Sequence, residues 1–216
     1  RLNTDHIDVY ILHGPDYSTP LEEIVRAMDD LVRAGKILYP ACSNYKAWQI
    51  YRALSIAEKT NAAPFITMQN SYSLIHRQLE EEHFSLAKHT GVGIMAYSPI
   101  GIGILSGAYD HKSKPDSGSV WNKNARLKNI YSNVMKRQTI ELIKMVQNIA
   151  KQHNATPAQI SLSWVLSHSE ISVAISGPDN DEQMKESLGA LDIKLTEKQI
   201  KDLNDKSKGL NLLGQF

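Results

Sequence analysis

The chain has 216 residues, 42% of them hydrophobic and 22% charged, an ordinary globular composition with enough length to bury a core without disulfide or metal staples. Its 24 Lys and Arg against 23 Asp and Glu leave a net charge of +1, so neither nucleic acid nor an anionic membrane surface is expected as a partner. The single cysteine, Cys42, excludes an internal disulfide framework and a multi-cysteine zinc site and fits a reducing, cytoplasmic setting, and no apolar run reaches the roughly 20 residues of a membrane span.

The pattern along the chain is a short hydrophobic strand followed by an amphipathic helix, repeated. Residues 7–13 (IDVYILH) read as a buried strand, broken by Gly14-Pro15-Asp16. A helix is expected from Thr19, with Pro20 at its first position, Glu22 completing a capping box and Gly35 ending it. Strand 37–42 and helix 47–59 follow, then strand 64–69, a helix over 79–89 and strand 92–97. Residues 101–128 form a long polar insertion, read as a lid or binding loop with plain disorder as the alternative. One helix is expected over 130–153 and a second over 157–167, capped by Thr156 with Gln159. Strand 171–175, a helix over 181–188 and a last helix capped by Thr196 and Gln199 complete the series, and the tail to Phe216 is expected to fray.

Helices between successive short strands force parallel pairing through right-handed crossovers, so the class is α/β. No Gly-x-Gly-x-x-Gly follows the first strand, which disfavours a Rossmann sheet. The polar residues of interest instead sit just after each strand, the positions that make the active face of a (β/α)8 barrel. They are His13, Ser43-Asn44, Gln69-Asn70, Tyr97-Ser98-Pro99 and Ser176-Gly177. Each alone has a structural explanation: a hydrogen-bonded strand-end His, a Ser-Asn helix cap, a core Tyr. Together they offer an amide for a flat carboxamide, an aromatic face for a heterocycle and, at Gly101 and Gly103, backbone open to a pyrophosphate.

These segments resemble the aldo-keto reductases. Residues 5–16 (DHIDVYILHGPD) look like that family's fourth strand, ending in its catalytic His. Residues 36–45, ending Ser43-Asn44-Tyr45, are similar to the fifth, and Gln69-Asn70 with Tyr72-Ser73-Leu74 to the sixth. Residues 97–107 (YSPIGIGILSG) resemble the seventh strand with its phosphate loop, and Ile175-Ser176-Gly177 with Asn180, Gln183 and Glu186 resembles the eighth. The implied architecture is units 4 to 8 of one (β/α)8 TIM barrel, with the whole of 1–216 as the C-terminal part of a single domain. At roughly 30 residues per unit, about 100 residues of barrel would precede it.

The resemblance implies an oxidoreductase that reduces aldehydes or ketones to alcohols with NADP(H), NAD(H) being the alternative. Ser43, Asn44 and Gln69 would hold the nicotinamide carboxamide, and Tyr97 would stack on the ring. Ser98, Ile100 and Gly103 would line the pyrophosphate, with Gly177, Gln183 and Glu186 toward the adenosine. His13 would orient the carbonyl; the family's Asp, Tyr and Lys belong to earlier units and have no counterpart in this sequence. Departures from the family pattern are Ser176 for Pro, Asp179 for Arg and Ser187 for Asn. Other expectations are a catalytically silent cofactor-binding protein resembling potassium-channel β subunits, or a truncated, inactive barrel that self-associates as a homo-oligomer through strand edges at 7–13 and 171–175. The expected partner in the enzyme case is a small carbonyl substrate.

Overall fold

A computed structural model describes residues 2–109 and 115–214. The chain divides into two compact units, 1–70 with 79–95, and 71–78 with 96–216. In the first, β1 (Ile7–Leu12), α1 (Leu21–Arg33), β2 (Ile37–Ser43), α2 (Ala47–Thr60) and β3 (Thr67–Ser71, to Asn70) alternate, followed by α3 (His83–Thr90) and the start of β4 (Gly93–Tyr97). β1 pairs parallel with β2, Ile11 opposite Ala41, and β2 parallel with β3, Cys42 opposite Met68. The strands follow one another in the order β1-β2-β3-β4-β5. β2 reads Ile-Leu-Tyr-Pro-Ala-Cys-Ser and is buried from Pro40 to Ser43, as a strand covered on both faces should be. On α1 the stripe's inward residues Val25 and Met28 are buried, and Gly35 ends the helix in the left-handed region (φ 67°).

The second unit holds α4 (Val120–Lys123), α5 (Ala125–Val134), α6 (Arg137–Gln152), α7 (Pro157–Leu166), β5 (Ile171–Ile175), α8 (Asp181–Gly189) and α9 (Glu197–Ser207). The capping boxes at Thr156 and Thr196 form as expected, each hydroxyl accepting from the Gln amide three residues on. Among the described residues no helix is long and apolar enough to cross a membrane.

Five expectations are corrected. α1 begins at Leu21, so its N-cap falls on Pro20, which has no side-chain oxygen to accept from the first turn; Thr19, one residue earlier, donates its hydroxyl to Asp16 at 2.6 Å, and Glu22 pairs with Arg52. The third strand runs Thr67–Ser71 rather than 64–69: Pro64 has no N–H to give, and the parallel ladder starts at Thr67 opposite Ala41. Residues 79–89 are a 3-10 turn (Gln78–Glu80) followed by the shorter α3. The single helix expected over 130–153 is two, α5 and α6. The backbone leaves helical geometry at Met135 (φ −86°, ψ 39°), and α6 restarts after the extended Lys136 (φ −79°, ψ 167°). The tail is docked through 214: Leu210 and Leu213 are buried, the Leu212 amide donates to Ile75 (2.9 Å) and Arg126 donates to the Leu213 carbonyl (3.0 Å).

The insertion at 101–128 is ordered over much of its length. Residues 110–114 of the expected lid lie outside the described residues. The rest contains a 3-10 turn at Ile104–Ser106, α4 and the start of α5, with Trp121 fully buried and in edge contact with Tyr109 and Tyr131.

Leu213→Ala is expected to destabilise the chain by about 2–5 kcal/mol in urea unfolding, the usual range for a buried leucine, whereas a frayed tail would give a change near zero. The buried His76 has no partner for Nδ1, and burial pushes its pKa down to about 4. The unfolded chain, with an ordinary His, then binds more protons between about 4 and 6.5, so stability falls as pH drops through that window. Going from pH 7 to 5 should cost about 1–2 kcal/mol through this residue, and His76→Asn should lose that part of the dependence in thermal melts.

Candidate functional site

In the first unit the ends of three strands are tied together by side chains that follow them. Ser43, the last residue of β2, is buried and donates its hydroxyl to the Gln69 carbonyl at 2.7 Å, while the Asn44 N–H donates to the same oxygen at 3.2 Å. Asn44 turns left-handed (φ 61°), a conformation its short amide side chain tolerates better than most residues. Its Nδ2 donates to the His13 carbonyl at 3.0 Å and to Ser43 Oγ at 3.1 Å. His13, Ser43, Asn44 and Gln69 are therefore brought to one place. Among the described residues the His13 ring and the Gln69 side-chain amide have no hydrogen-bond partner, so both keep their full donor and acceptor capacity.

Two groups near this rim are chemically quiet. Burial pushes the Cys42 thiol up to about 12, so it carries no reactive thiolate. Tyr45 also rises to about 12, chiefly through burial, and its ring packs edge-on to Phe65 while its carbonyl accepts from His83 at 2.9 Å. That direction is opposite to what a proton-donating tyrosine needs.

The second unit contains a cavity of about 1010 Å³, at the upper end of the size range of small-molecule sites. Tyr97, Ser98, Ile100, Gly103, Gly177, Gln183 and Glu186, the expected binding residues of this unit, all line it. One wall is the loop after β4. Ser98 (φ 54°), Gly101 (60°), Ile102 (55°) and Gly103 (81°) are all left-handed, so the chain coils tightly there. A Cβ at Gly101 would lie 2.6 Å from the Ile75 side chain, and one at Gly103 3.1 Å from the Tyr109 ring. The loop is pinned by Gly101 N–H to the Ser98 carbonyl (2.8 Å) and by the Trp121 indole donating to the Ile102 carbonyl (2.8 Å). Among the described residues the amides of Ile100, Ile102 and Gly103 have no partner. Unpaired amides in a left-handed turn are the elements of an anion cradle.

The facing wall is the connection from β5 to α8. Ser176 and Ser187 share a hydrogen bond at 2.8 Å. Asn180 caps α8, and the Gln183 side-chain oxygen accepts from the Asp179 N–H at 2.8 Å. Glu186 accepts from the Thr156 hydroxyl at 2.5 Å, and its carbonyl accepts from Gln159. Gln183 and Glu186 thus line the cavity with side chains that already hold protein partners. Tyr109, Asp116 and Ser119 also line it and were not singled out in the sequence, because they fall in the polar insertion, where no periodicity marks a facing direction.

The sequence pattern of the aldo/keto reductase family matches residues 1–208. An uncharacterized oxidoreductase of Bacillus subtilis, YrpG, is 33% identical over 205 residues, covering 95% of this chain and 60% of that protein. The aldo-keto reductase yakc [NADP(+)] of Schizosaccharomyces pombe is 30% identical, covering 99% of this chain and 61% of its own length. A probable voltage-gated potassium channel subunit beta of Arabidopsis thaliana is 30% identical over 89% of this chain and 58% of that one. Among solved structures, a thermostable aldo-keto reductase crystallised with the inhibitor epalrestat superimposes with a TM-score of 0.74 at 29% identity, covering 95% of this chain and 61% of that one. The chain thus spans about 60% of the length of these relatives, and its five parallel β/α units match the corresponding part of a (β/α)8 barrel. From its first strand to the end of its last helix, this chain belongs to the aldo/keto reductase family.

Proposed function

We propose that the chain provides the dinucleotide-binding part of an NAD(P)H-dependent oxidoreductase that reduces aldehydes or ketones to alcohols. The observation that carries this reading is the cavity of the second unit, where seven residues expected from the sequence to bind a dinucleotide line one space. The loop from Ser98 to Gly103 fits a pyrophosphate: its unpaired amides of Ile100, Ile102 and Gly103 neutralise anionic oxygens without a side-chain charge. The Tyr97 ring offers an apolar stacking face. In the first unit, the free side-chain amide of Gln69 can both give to and accept from a carboxamide, while the Ser43 hydroxyl and the Asn44 N–H hold its backbone by donating to the Gln69 carbonyl.

The cofactor supplies the hydride. What the chain's own residues do is bind and orient: His13 stands at the end of β1 with its ring available to donate a hydrogen bond to a substrate carbonyl oxygen. A second reading, cofactor binding without turnover, draws support from the likeness to potassium-channel β subunits and from the upward pKa shifts of Tyr45 and Tyr109. Turnover of an aromatic aldehyde with NADPH separates the two.

Titration with NADPH, followed by nicotinamide fluorescence, is expected to saturate. Gln69→Ala should weaken binding about fivefold, the loss of roughly one net hydrogen bond. No binding at millimolar cofactor would contradict the assignment.

A further inference from the structure

We propose that Asp179 makes this cavity select NADH over NADPH; the inference rests on the dinucleotide reading above and sharpens it to one cofactor. The charged side chains among the described residues of the cavity wall are Asp116, Asp179 and Glu186, all acidic, and no Lys or Arg is among them. A 2′-phosphate brings nearly two further negative charges to a ligand whose pyrophosphate is already anionic, and its recognition calls for a guanidinium or ammonium group. A wall carboxylate does the reverse. It accepts the hydrogen of an adenosine ribose 2′-hydroxyl and repels the phosphate ester that replaces it.

Asp179 is the carboxylate placed to make that distinction. It stands two residues beyond Gly177, on the turn between β5 and α8, and is exposed at the cavity wall. Its N–H is held by the Gln183 side-chain oxygen at 2.8 Å, so the backbone that carries the carboxylate is fixed. Glu186 is less suited, because its carboxylate already accepts from Thr156. Nor does the neighbouring end of α8 offer a phosphate a vacant cradle. Asn180 Oδ1 takes the Gln183 N–H at 2.9 Å, and Asp181 and Glu182 in the first turn already compensate the helix dipole with negative charge.

The test is a pair of titrations, NADH and NADPH, on the wild-type chain and on Asp179→Arg, read by nicotinamide fluorescence at constant ionic strength. The wild type is expected to bind NADH at least tenfold more tightly than NADPH. Asp179→Arg should raise NADPH affinity by tenfold or more and weaken NADH by up to about tenfold, the loss of its ribose hydrogen bond, with an unchanged thermal melt showing that the fold is intact. The adenosine fragments 5′-ADP and 2′,5′-ADP, used as competitors, should show the same ordering. Tighter binding of NADPH by the wild type, or a selectivity ratio unmoved by Asp179→Arg, overturns the role of Asp179 and leaves the dinucleotide reading standing. Failure of both cofactors to bind overturns both.

Discussion

An L-residue held at positive φ costs about 1–2 kcal/mol, and the loop after β4 holds Ser98 and the β-branched Ile102 in that region beside Gly101 and Gly103. Such a loop persists only where its surroundings over-determine it. Here the indole of the buried Trp121 grips the Ile102 carbonyl, Gly101 closes on Ser98, and a Cβ at Gly101 would fall 2.6 Å from the Ile75 side chain. The result is a rigid wall with unpaired amides. The energetic cost of the turn and the capacity to hold an anion are two sides of the same backbone geometry.

The first unit solves a different problem with the same economy of residues. Ser43 and Asn44 each satisfy a backbone carbonyl of a neighbouring segment, Gln69 within β3 and His13 just after β1, so these polar residues become mutually positioned. Gln69 gives its carbonyl to that tie and keeps its side-chain amide free. Cys42, one residue earlier, faces into the core, where burial makes its thiol inert. The single step from Cys42 to Ser43 separates packing from chemistry.

Much of this was legible in the sequence. The five strands and the Thr156 and Thr196 capping boxes follow from period and punctuation, and the seven residues that the family resemblance marked for this unit all line its cavity. What was not legible depended on competition between distant or unmarked groups. The first helix starts one residue later than its cap pattern suggests, which places Pro20 rather than Thr19 at the N-cap. The break between α5 and α6 falls at Met135 and Lys136, with no Gly or Pro to mark it. The tail carries no periodic pattern, yet Leu210 and Leu213 find apolar cover and Arg77 donates to Asn204 and Ser207 on α9. The role of Trp121 in holding Ile102 spans 19 residues of polar insertion, and nothing local announces it.

The account turns on the loop from Ser98 to Gly103 receiving the phosphates of a dinucleotide. Amide hydrogen exchange with and without ADP-ribose measures this directly at the backbone. The account predicts slowed exchange over 98–107 and 175–187 on binding. Slowing confined to other segments, such as the small recess between Pro15 and Arg52, or none at saturating ligand, would contradict it.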